Sequence, residues 1–221
     1  MTAERIQRLR HVLGRRQPDL TVLLDNVHKP HNLSAILRSC DAVGVLRVHA
    51  VWPNPRVRPS NAVAGGSGKW VPVRTHGRIE DAIETLRGQG FEVLAAHLSE
   101  RAVDFREVDY TRPVCLLMGA ELFGVSNRAA ELADRHVVIP MQGMVESLNV
   151  SVAAATVLFE AQRQRLQAGF YDRPRLEPEV YERMLFEWAQ PKVADYCRRK
   201  GLAYPSLDVD GDAADWDTGL A

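Results

Sequence analysis

The chain has 221 residues, and its 28 Lys and Arg balance its 28 Asp and Glu, so the formal net charge is zero. This length can bury one substantial core, and no low-complexity linker divides it, which favours one domain with terminal extensions. No apolar run approaches the roughly 18 residues needed to span a bilayer, and no signal-peptide block precedes the first elements. Three widely spaced cysteines argue against disulfides or a zinc site, so we expect a soluble, cytoplasmic protein with core thiols and no metal.

The zero net charge conceals a segregation of charge along the chain. Residues 201–221 contain five aspartates and no Lys or Arg, so residues 1–200 hold 28 basic against 23 acidic side chains. Arginines cluster within residues 5–16 and again within residues 163–175. Two interpretations of these clusters stay open: they are solvated helix faces, or they form a phosphate-binding rim.

Apolar runs alternate with amphipathic segments along the chain. The runs predict strands at residues 20–24, 46–51, 91–96, 114–118 and 136–139. The amphipathic segments predict helices at residues 5–15, 33–43, 79–87, 126–133, 149–167, 178–188 and 191–200. Near-continuous apolar strands separated by helices are typical of an α/β fold with a mostly parallel sheet and helices on both faces.

The same pattern predicts how the chain is divided. A basic helix occupies residues 1–17, the sheet domain residues 18–168 and a helical extension residues 169–205. The remaining residues, 206–221, are acidic and poor in core-forming side chains, so we expect a disordered tail.

The segment from residue 26 to residue 44 places a turn, a helix start and an arginine directly after a predicted strand. Pro30 disfavours helix at the preceding residue, and Asn32 can cap the next helix with its side-chain oxygen. The apolar positions of that helix repeat at i, i+3, i+4 and i+7: Leu33, Ile36, Leu37 and Cys40. Arg38 falls off this stripe, which by spacing alone indicates a solvated arginine.

Two other segments could carry chemistry. The glycine-rich residues 65–69 lack the spacing of a phosphate-binding loop, because Val63 occupies a required glycine position and Trp70 replaces Ser or Thr. Lys69 there belongs either to a binding loop or to an ordinary turn. Glu121 follows a predicted strand at the sheet edge where ligands of α/β folds bind, although by pattern alone it is a surface acid or a cap.

Three ordered motifs resemble those of one known family. The first is the segment at residues 26–44, the second is Met-Gly-Ala-Glu-Leu-Phe-Gly-Val-Ser at residues 118–126, and the third covers residues 139–153. Together they are similar to the SPOUT class of RNA methyltransferases. Over residues 5–205 the likeness is greatest to the TrmH branch, whose members methylate the ribose 2′-oxygen of guanosine 18 in the D-loop of tRNA.

The resemblance implies an S-adenosylmethionine-dependent homodimer with a deep C-terminal trefoil knot, a topology that patterning alone would not suggest. It implies catalytic roles for Arg38, Asn32, Glu121, Ser147 and Asn149. It implies cofactor contacts from Ala96, Gly119, Ile139, Met141 and Leu148. With the charge clusters, it leads us to expect RNA contacts from Arg8, Arg10, His31, Lys69, Arg163 and Arg165.

Two roles for Arg38 fit such a reaction. It clamps a phosphate and orients the ribose hydroxyl, or it accepts the hydroxyl proton. We favour orientation, because guanidinium deprotonation is costly and its planar fork matches phosphate.

Two other functions of the protein remain alternatives. One is 2′-O-methylation of ribosomal RNA, although those relatives commonly carry a longer N-terminal RNA-binding domain. The other is a knotted RNA-binding protein without activity, against which the joint presence of the five catalytic candidates argues.

Overall fold

The computed structural model describes residues 2–52, 69–121 and 123–213. These residues fall into two units: a sheet unit of residues 17–170, and a helical unit of residues 2–16 with 171–213. The strands of the sheet unit are β1 (Leu20–Asp25), β2 (Val48–Val51), β3 (Val73–His76), β4 (Glu92–Ala96), β5 (Ala102–Asp104), β6 (Val114–Met118) and β7 (Arg135–Val138). Its helices are α2 (Pro30–Ala42), α3 (Ile79–Gly88), α4 (Asn127–Leu132) and α5 (Val150–Gln167), with a 3₁₀ turn at Phe105–Glu107.

The seven strands form one sheet in the order β3-β2-β1-β6-β4-β7-β5. Every neighbouring pair is parallel, so the predicted α/β class with a parallel sheet is confirmed. The five predicted strands are present, and β3 and β5 are additional edge strands. Their side chains are half-buried or exposed, so neither shows the apolar run that identifies a central strand. The trefoil knot stays a prediction.

Helices cover both faces of the sheet, as the apolar pattern predicts. One core holds Val22 and Leu24 of β1 with the buried stripes of α2 and α5. The other core holds Leu23 with the apolar residues of α3 and α4. This alternation follows from the strand period of two, which sends successive side chains to opposite faces. Arg38 lies on the exposed side of α2, off the buried stripe, as the spacing predicts.

All three cysteines are buried, and none forms a disulfide: Cys40, Cys115 and Cys197. The first two lie in the cores on opposite sides of the sheet. Burial raises the pKa of the Cys115 thiol above its ordinary value, because the thiolate would lose its hydration. The expectation of core thiols is therefore confirmed.

Arg165 of α5 is fully buried, with 0% of its surface exposed. Its guanidinium uses all five N–H donors. The acceptors are the Gln17 and Asp19 side chains and the carbonyl oxygens of Asp19, Tyr110 and Arg112. Arg165 thereby ties α5 to the segments that precede β1 and β6. Its predicted contact with RNA is wrong, since the side chain is enclosed by protein.

The helical unit consists of α1 (Ala3–Leu13), α6 (Pro178–Ala189), α7 (Pro191–Lys200) and the chain that follows. Arg16 is buried in this unit, with its guanidinium carbon 5.3 Å from the centre of the Trp188 ring. One member of the N-terminal arginine cluster therefore faces inward. None of the helices among the described residues is long and apolar enough to cross a membrane.

Part of the predicted disordered tail is folded. The Asp208 carboxylate accepts hydrogen bonds from the backbone N–H groups of Asp210 and Asp212, which closes a turn. The Gln190 side chain donates to the carbonyl oxygen of Gly211. The prediction of disorder is thus wrong for residues 206–213, because these short acidic side chains bond to local backbone. Residues 214–221 lie outside the described chain.

Two arginines of α5 provide a stability test. Replacing Arg165 by glutamine should lower the free energy of unfolding by about 3 kcal/mol or more, since the Asp19 carboxylate and three carbonyl groups lose their donor. Arg163→Gln is the matched control. Arg163 also pairs with a carboxylate, that of Glu160, but is 54% exposed, so we expect a change within about 0.5 kcal/mol. Urea denaturation followed by circular dichroism measures both, and similar losses in the two variants would contradict the assigned role.

Candidate active site

A cleft of about 620 Å³ lies at the carboxyl edge of the sheet. Its walls come from the ends of β4, β6 and β7, from the chain that follows each of them, and from the first turns of α5. Open parallel sheets bind ligands at this edge, because the loops there diverge. The volume lies within the range typical of small-molecule sites.

The five predicted cofactor contacts all line this cleft: Ala96, Gly119, Ile139, Met141 and Leu148. The structure adds neighbours that the sequence did not single out. His97 and Leu98 follow β4 at the same edge, and Val157 lines the cleft from α5. The position of His97 directly after a predicted strand was a signal that could have found it. The pKa of His97 is lowered, first by burial and then by the nearby His136 and Arg101.

Gly119 lets the chain fold back tightly after β6. A Cβ atom at this position would lie 1.9 Å from the carbonyl carbon of Gly124 and 2.0 Å from the nitrogen of Val125. The turn closes with a 2.7 Å hydrogen bond from the Gly124 N–H to the Ala120 carbonyl, and Gly124 has a φ of 65°. No side chain fits between the two backbone segments, so glycine is required at residue 119.

This turn presents Glu121 to three donors from two other parts of the chain. The carboxylate pairs with the Lys29 ammonium group and accepts hydrogen bonds from the side-chain amides of Asn32 and Asn149. The Asn149 amide also lies 3.3 Å from the side-chain oxygen of Asn32. We call these four residues the Glu121 cluster. The cluster joins the start of α2, the turn after β6 and the start of α5.

Asn149 serves the helix and the cluster at the same time. Its side-chain oxygen caps α5 by accepting from the Ser151 N–H at 2.8 Å, and this leaves the amide nitrogen for Glu121. Asn32 does not cap α2, so that prediction is wrong. The helix begins at Pro30, whose fixed φ suits the first helical position, and Lys29 is the cap residue. Asn32 therefore lies inside the first turn, where its buried amide is directed to Glu121.

The structure brings together four of the five predicted catalytic residues. Glu121, Ser147 and Asn149 line the cleft, and Asn32 is hydrogen-bonded to two of them. Arg38 is not among the described residues that line it. It is exposed on α2, about 9 Å along the helix from Asn32. Lys29 was missed by sequence analysis, although its place between a strand and a helix-starting proline was a usable signal.

Most of the predicted RNA contacts lie on the surface. Arg8 and Arg10 are exposed on α1, and His31 is exposed in the first turn of α2. Lys69 is exposed, with its ammonium nitrogen 4.7 Å from the centre of the Trp70 ring. The glycines of that loop, Gly65, Gly66 and Gly68, lie outside the described residues.

Arg163 is exposed but already bonded within α5. Its guanidinium donates to both carboxylate oxygens of Glu160 and to the side chain of Gln167. Any phosphate contact by Arg163 would require these bonds to open.

Family models and known proteins match this chain over most of its length. A model described as "SpoU rRNA Methylase family" matches residues 19–159, and one described as "SpoU, rRNA methylase, C-terminal" matches residues 163–215. A protein of Escherichia coli (strain K12) named tRNA (guanosine(18)-2'-O)-methyltransferase is 54% identical over 98% of this chain and 96% of its own.

Two solved structures are also similar. The Aquifex aeolicus TrmH/SpoU tRNA modifying enzyme has a TM-score of 0.79 and 45% identity, covering 86% of this chain and 97% of that one. An AdoMet-bound rRNA methyltransferase from Sinorhizobium meliloti has a TM-score of 0.58 and 35% identity, covering 70% of this chain and 59% of that one.

Substitution of Gly119 tests the close approach on which the site depends. Gly119→Ala should lower the free energy of unfolding by about 1 to 3 kcal/mol, because the turn after β6 must move to admit a methyl group. Gly143→Ala is the control, since a Cβ there would meet nothing within 4 Å. We expect that variant to stay within about 0.5 kcal/mol of the parent in urea denaturation. Equal stabilities for both variants would show that the approach can relax.

Proposed function

The chain belongs to the SpoU rRNA methylase family, and from this membership we propose that it transfers a methyl group from S-adenosylmethionine to the ribose 2′-oxygen of guanosine 18 in tRNA. The choice of tRNA as the substrate rests on the extent of the likeness to the Escherichia coli tRNA enzyme. This likeness runs through both the sheet unit and the helical unit. The proposed substrate also implies a cytoplasmic reaction.

Ribosomal RNA is the second candidate substrate. The family is described by rRNA methylation, and one similar solved structure is an rRNA methyltransferase. That likeness covers 70% of this chain and leaves a large part of the other protein unmatched. The tRNA enzyme of Escherichia coli, by contrast, corresponds to this chain almost end to end, which favours tRNA.

The cleft suits S-adenosylmethionine in size and in chemistry. Ile139, Met141 and Leu148 give apolar walls for an adenine ring, and the tight turn at Gly119 leaves main-chain groups at the edge. Glu121 and Glu146 line the cleft together with Lys29, so two carboxylates outweigh one ammonium group near a ligand that carries a sulfonium. A similar solved structure contains AdoMet. When bound, S-adenosylmethionine supplies an electrophilic methyl group.

Methyl transfer to a hydroxyl depends above all on alignment of oxygen, methyl and sulfur, which can contribute roughly 7 to 11 kcal/mol. The Glu121 cluster supplies the required rigidity, because one carboxylate fixes three segments around the cleft. We assign Asn32 and Lys29 to hold Glu121, and Glu121, Ser147 and Asn149 to position the reacting groups. Arg38 does not line the cleft of its own subunit, so we assign it to the RNA. Its guanidinium binds the phosphate beside the target ribose and orients the hydroxyl.

We propose a homodimer with its seam on α5. The helix exposes large apolar side chains at a spacing of seven residues: Val152, Phe159 and Leu166, which are 49%, 49% and 55% exposed. Positions seven apart form one stripe on a helix, and a second helix can pack against such a stripe. The small residues near the start of α5 would let that helix approach closely.

Two sets of exposed cations are proposed to bind the phosphates of tRNA. Arg8 and Arg10 lie on α1 in the helical unit, while His31 and Lys69 belong to the sheet unit. Phosphate contacts of this kind fix the position of the RNA without reading its sequence.

Transfer of tritiated methyl groups tests the proposed function directly. The purified protein should label an unmodified tRNA transcript at guanosine 18, and should not label a transcript that carries adenosine at that position. Parallel reactions contain 23S rRNA or no RNA. Digestion and mass spectrometry locate the methyl group. Labelling of rRNA alone would replace tRNA with the second candidate, and labelling of neither RNA would refute the methyltransferase assignment.

Arg38 variants test how the hydroxyl is activated. Arg38→Ala should reduce turnover by about 100-fold or more, as is typical when one charge-stabilising donor is lost. Stability and cofactor binding should persist, because the side chain is exposed and lies outside the cleft. Arg38→Lys should rescue poorly, since it keeps the charge but loses the planar fork. Near-parental turnover of Arg38→Lys would contradict a two-point contact between the Arg38 guanidinium and the phosphate. Arg128→Ala, an exposed arginine of α4, is the matched control.

A further inference from the structure

Phe123 is a large aromatic side chain that the proposed chemistry leaves without a role. It is 87% exposed, although it stands next to the catalytic candidates in the turn after β6. The hydrogen bond from Gly124 to Ala120 and the close approach at Gly119 hold this turn in place. An aromatic ring held in water beside a reaction site indicates a binding surface.

The ring borders a shallow pocket that adjoins the cofactor cleft. The pocket is about 50 Å³, and its lining is mainly apolar. It shares Lys29, Ala120 and Glu121 with the larger cleft, and Asn26 and His28 complete its rim. A group that enters here lies beside the Glu121 cluster, because Lys29, Asn32 and Glu121 line the pocket. The pocket is too small for a whole cofactor and suits the edge of a flat ring.

The larger cleft and the smaller pocket are lined by different exposed apolar side chains. Leu98 and Leu148 line the larger cleft, which we assign to the cofactor. Phe123 is not among the residues that line that cleft, but it does line the smaller pocket. A second flat ligand, distinct from the adenine of the cofactor, is therefore the occupant to consider.

The reaction itself provides such a ligand. When the target nucleotide is extruded from the surrounding RNA to bring its ribose to the methyl donor, its base loses its stacking partners and needs a new one. Proteins that bind unstacked bases place them on exposed aromatic rings. Asn26 and Lys29 line the same small pocket as the ring and so place polar groups beside a base that stacks there.

We propose that Phe123 is the stacking surface for the base of the nucleotide whose ribose is methylated. The base lies on the ring with its edge over the small pocket, and the attached ribose lies toward Glu121 and the cofactor cleft. This inference rests on the proposed function, because it takes an RNA nucleotide as the substrate. It assigns Phe123 to substrate positioning and not to chemistry.

A double-mutant cycle tests the proposal. Dissociation constants are measured by fluorescence anisotropy for the parent protein and Phe123→Ala, each with an intact tRNA transcript and with one that is abasic at nucleotide 18. A stacked base contributes roughly 1 to 3 kcal/mol, so Phe123→Ala should weaken binding of the intact tRNA by about 5- to 150-fold. It should leave binding of the abasic tRNA unchanged. Phe123→Trp should bind the intact tRNA at least as well as the parent.

Val209→Ala is the matched control, since Val209 is also 87% exposed but lies in the helical unit. It should bind both RNAs as the parent does. Equal losses by Phe123→Ala on both RNAs, or no loss on either, would overturn the stacking role. Sedimentation that shows a dissociated Phe123→Ala dimer with equal losses would assign the ring to a subunit interface. If the parent methylates the intact tRNA but Phe123→Ala affects binding of the intact and abasic tRNAs equally, only the Phe123 proposal fails. If the parent methylates no tRNA, the proposed function fails.

Discussion

The candidate site depends on the bonding of one carboxylate. Glu121 is only 18% exposed, so its charge has to be compensated by donors from the protein. Lys29, Asn32 and Asn149 provide them from segments far apart in the chain. Because each donor also belongs to a helix start, the compensation of one charge sets the directions in which α2 and α5 leave the cleft. The geometry of the candidate site and the local fold therefore depend on the same hydrogen bonds.

Much of the fold could be predicted from periodicity. The five central strands follow from apolar runs, because a strand that is buried on both faces is apolar at nearly every position. The seven helices of the described residues follow from apolar stripes, because each helix is buried on one face. The edge strands β3 and β5 could not be predicted in this way, since an edge strand buries few of its side chains. In the site, the cofactor-side residues followed from motifs. The bond of Lys29 to Glu121 could not be predicted, because the two residues lie 92 positions apart along the chain, although Pro30 did mark the start of α2.

The pair Arg163 and Arg165 shows the limit of charge counting. Two residues apart on a helix, their side chains point about 200° apart around the axis. One faces water, while the other enters the core and meets five acceptors. Arg165 does continue the buried positions Ala154, Leu158 and Ala161 at helical spacing. That continuation was the available signal, and it outweighs the basic character of the surrounding sequence.

The buried cysteines have a practical consequence for labelling. Thiol reagents attack the thiolate at an accessible sulfur, and all three native sulfurs lie in the interior, with ionisation of Cys115 further disfavoured by burial. The folded protein should therefore present little native reactivity to maleimide dyes. A single cysteine introduced on the surface can then carry a fluorophore or a spin label without prior removal of the native thiols. Distances within each unit become measurable in otherwise unaltered protein.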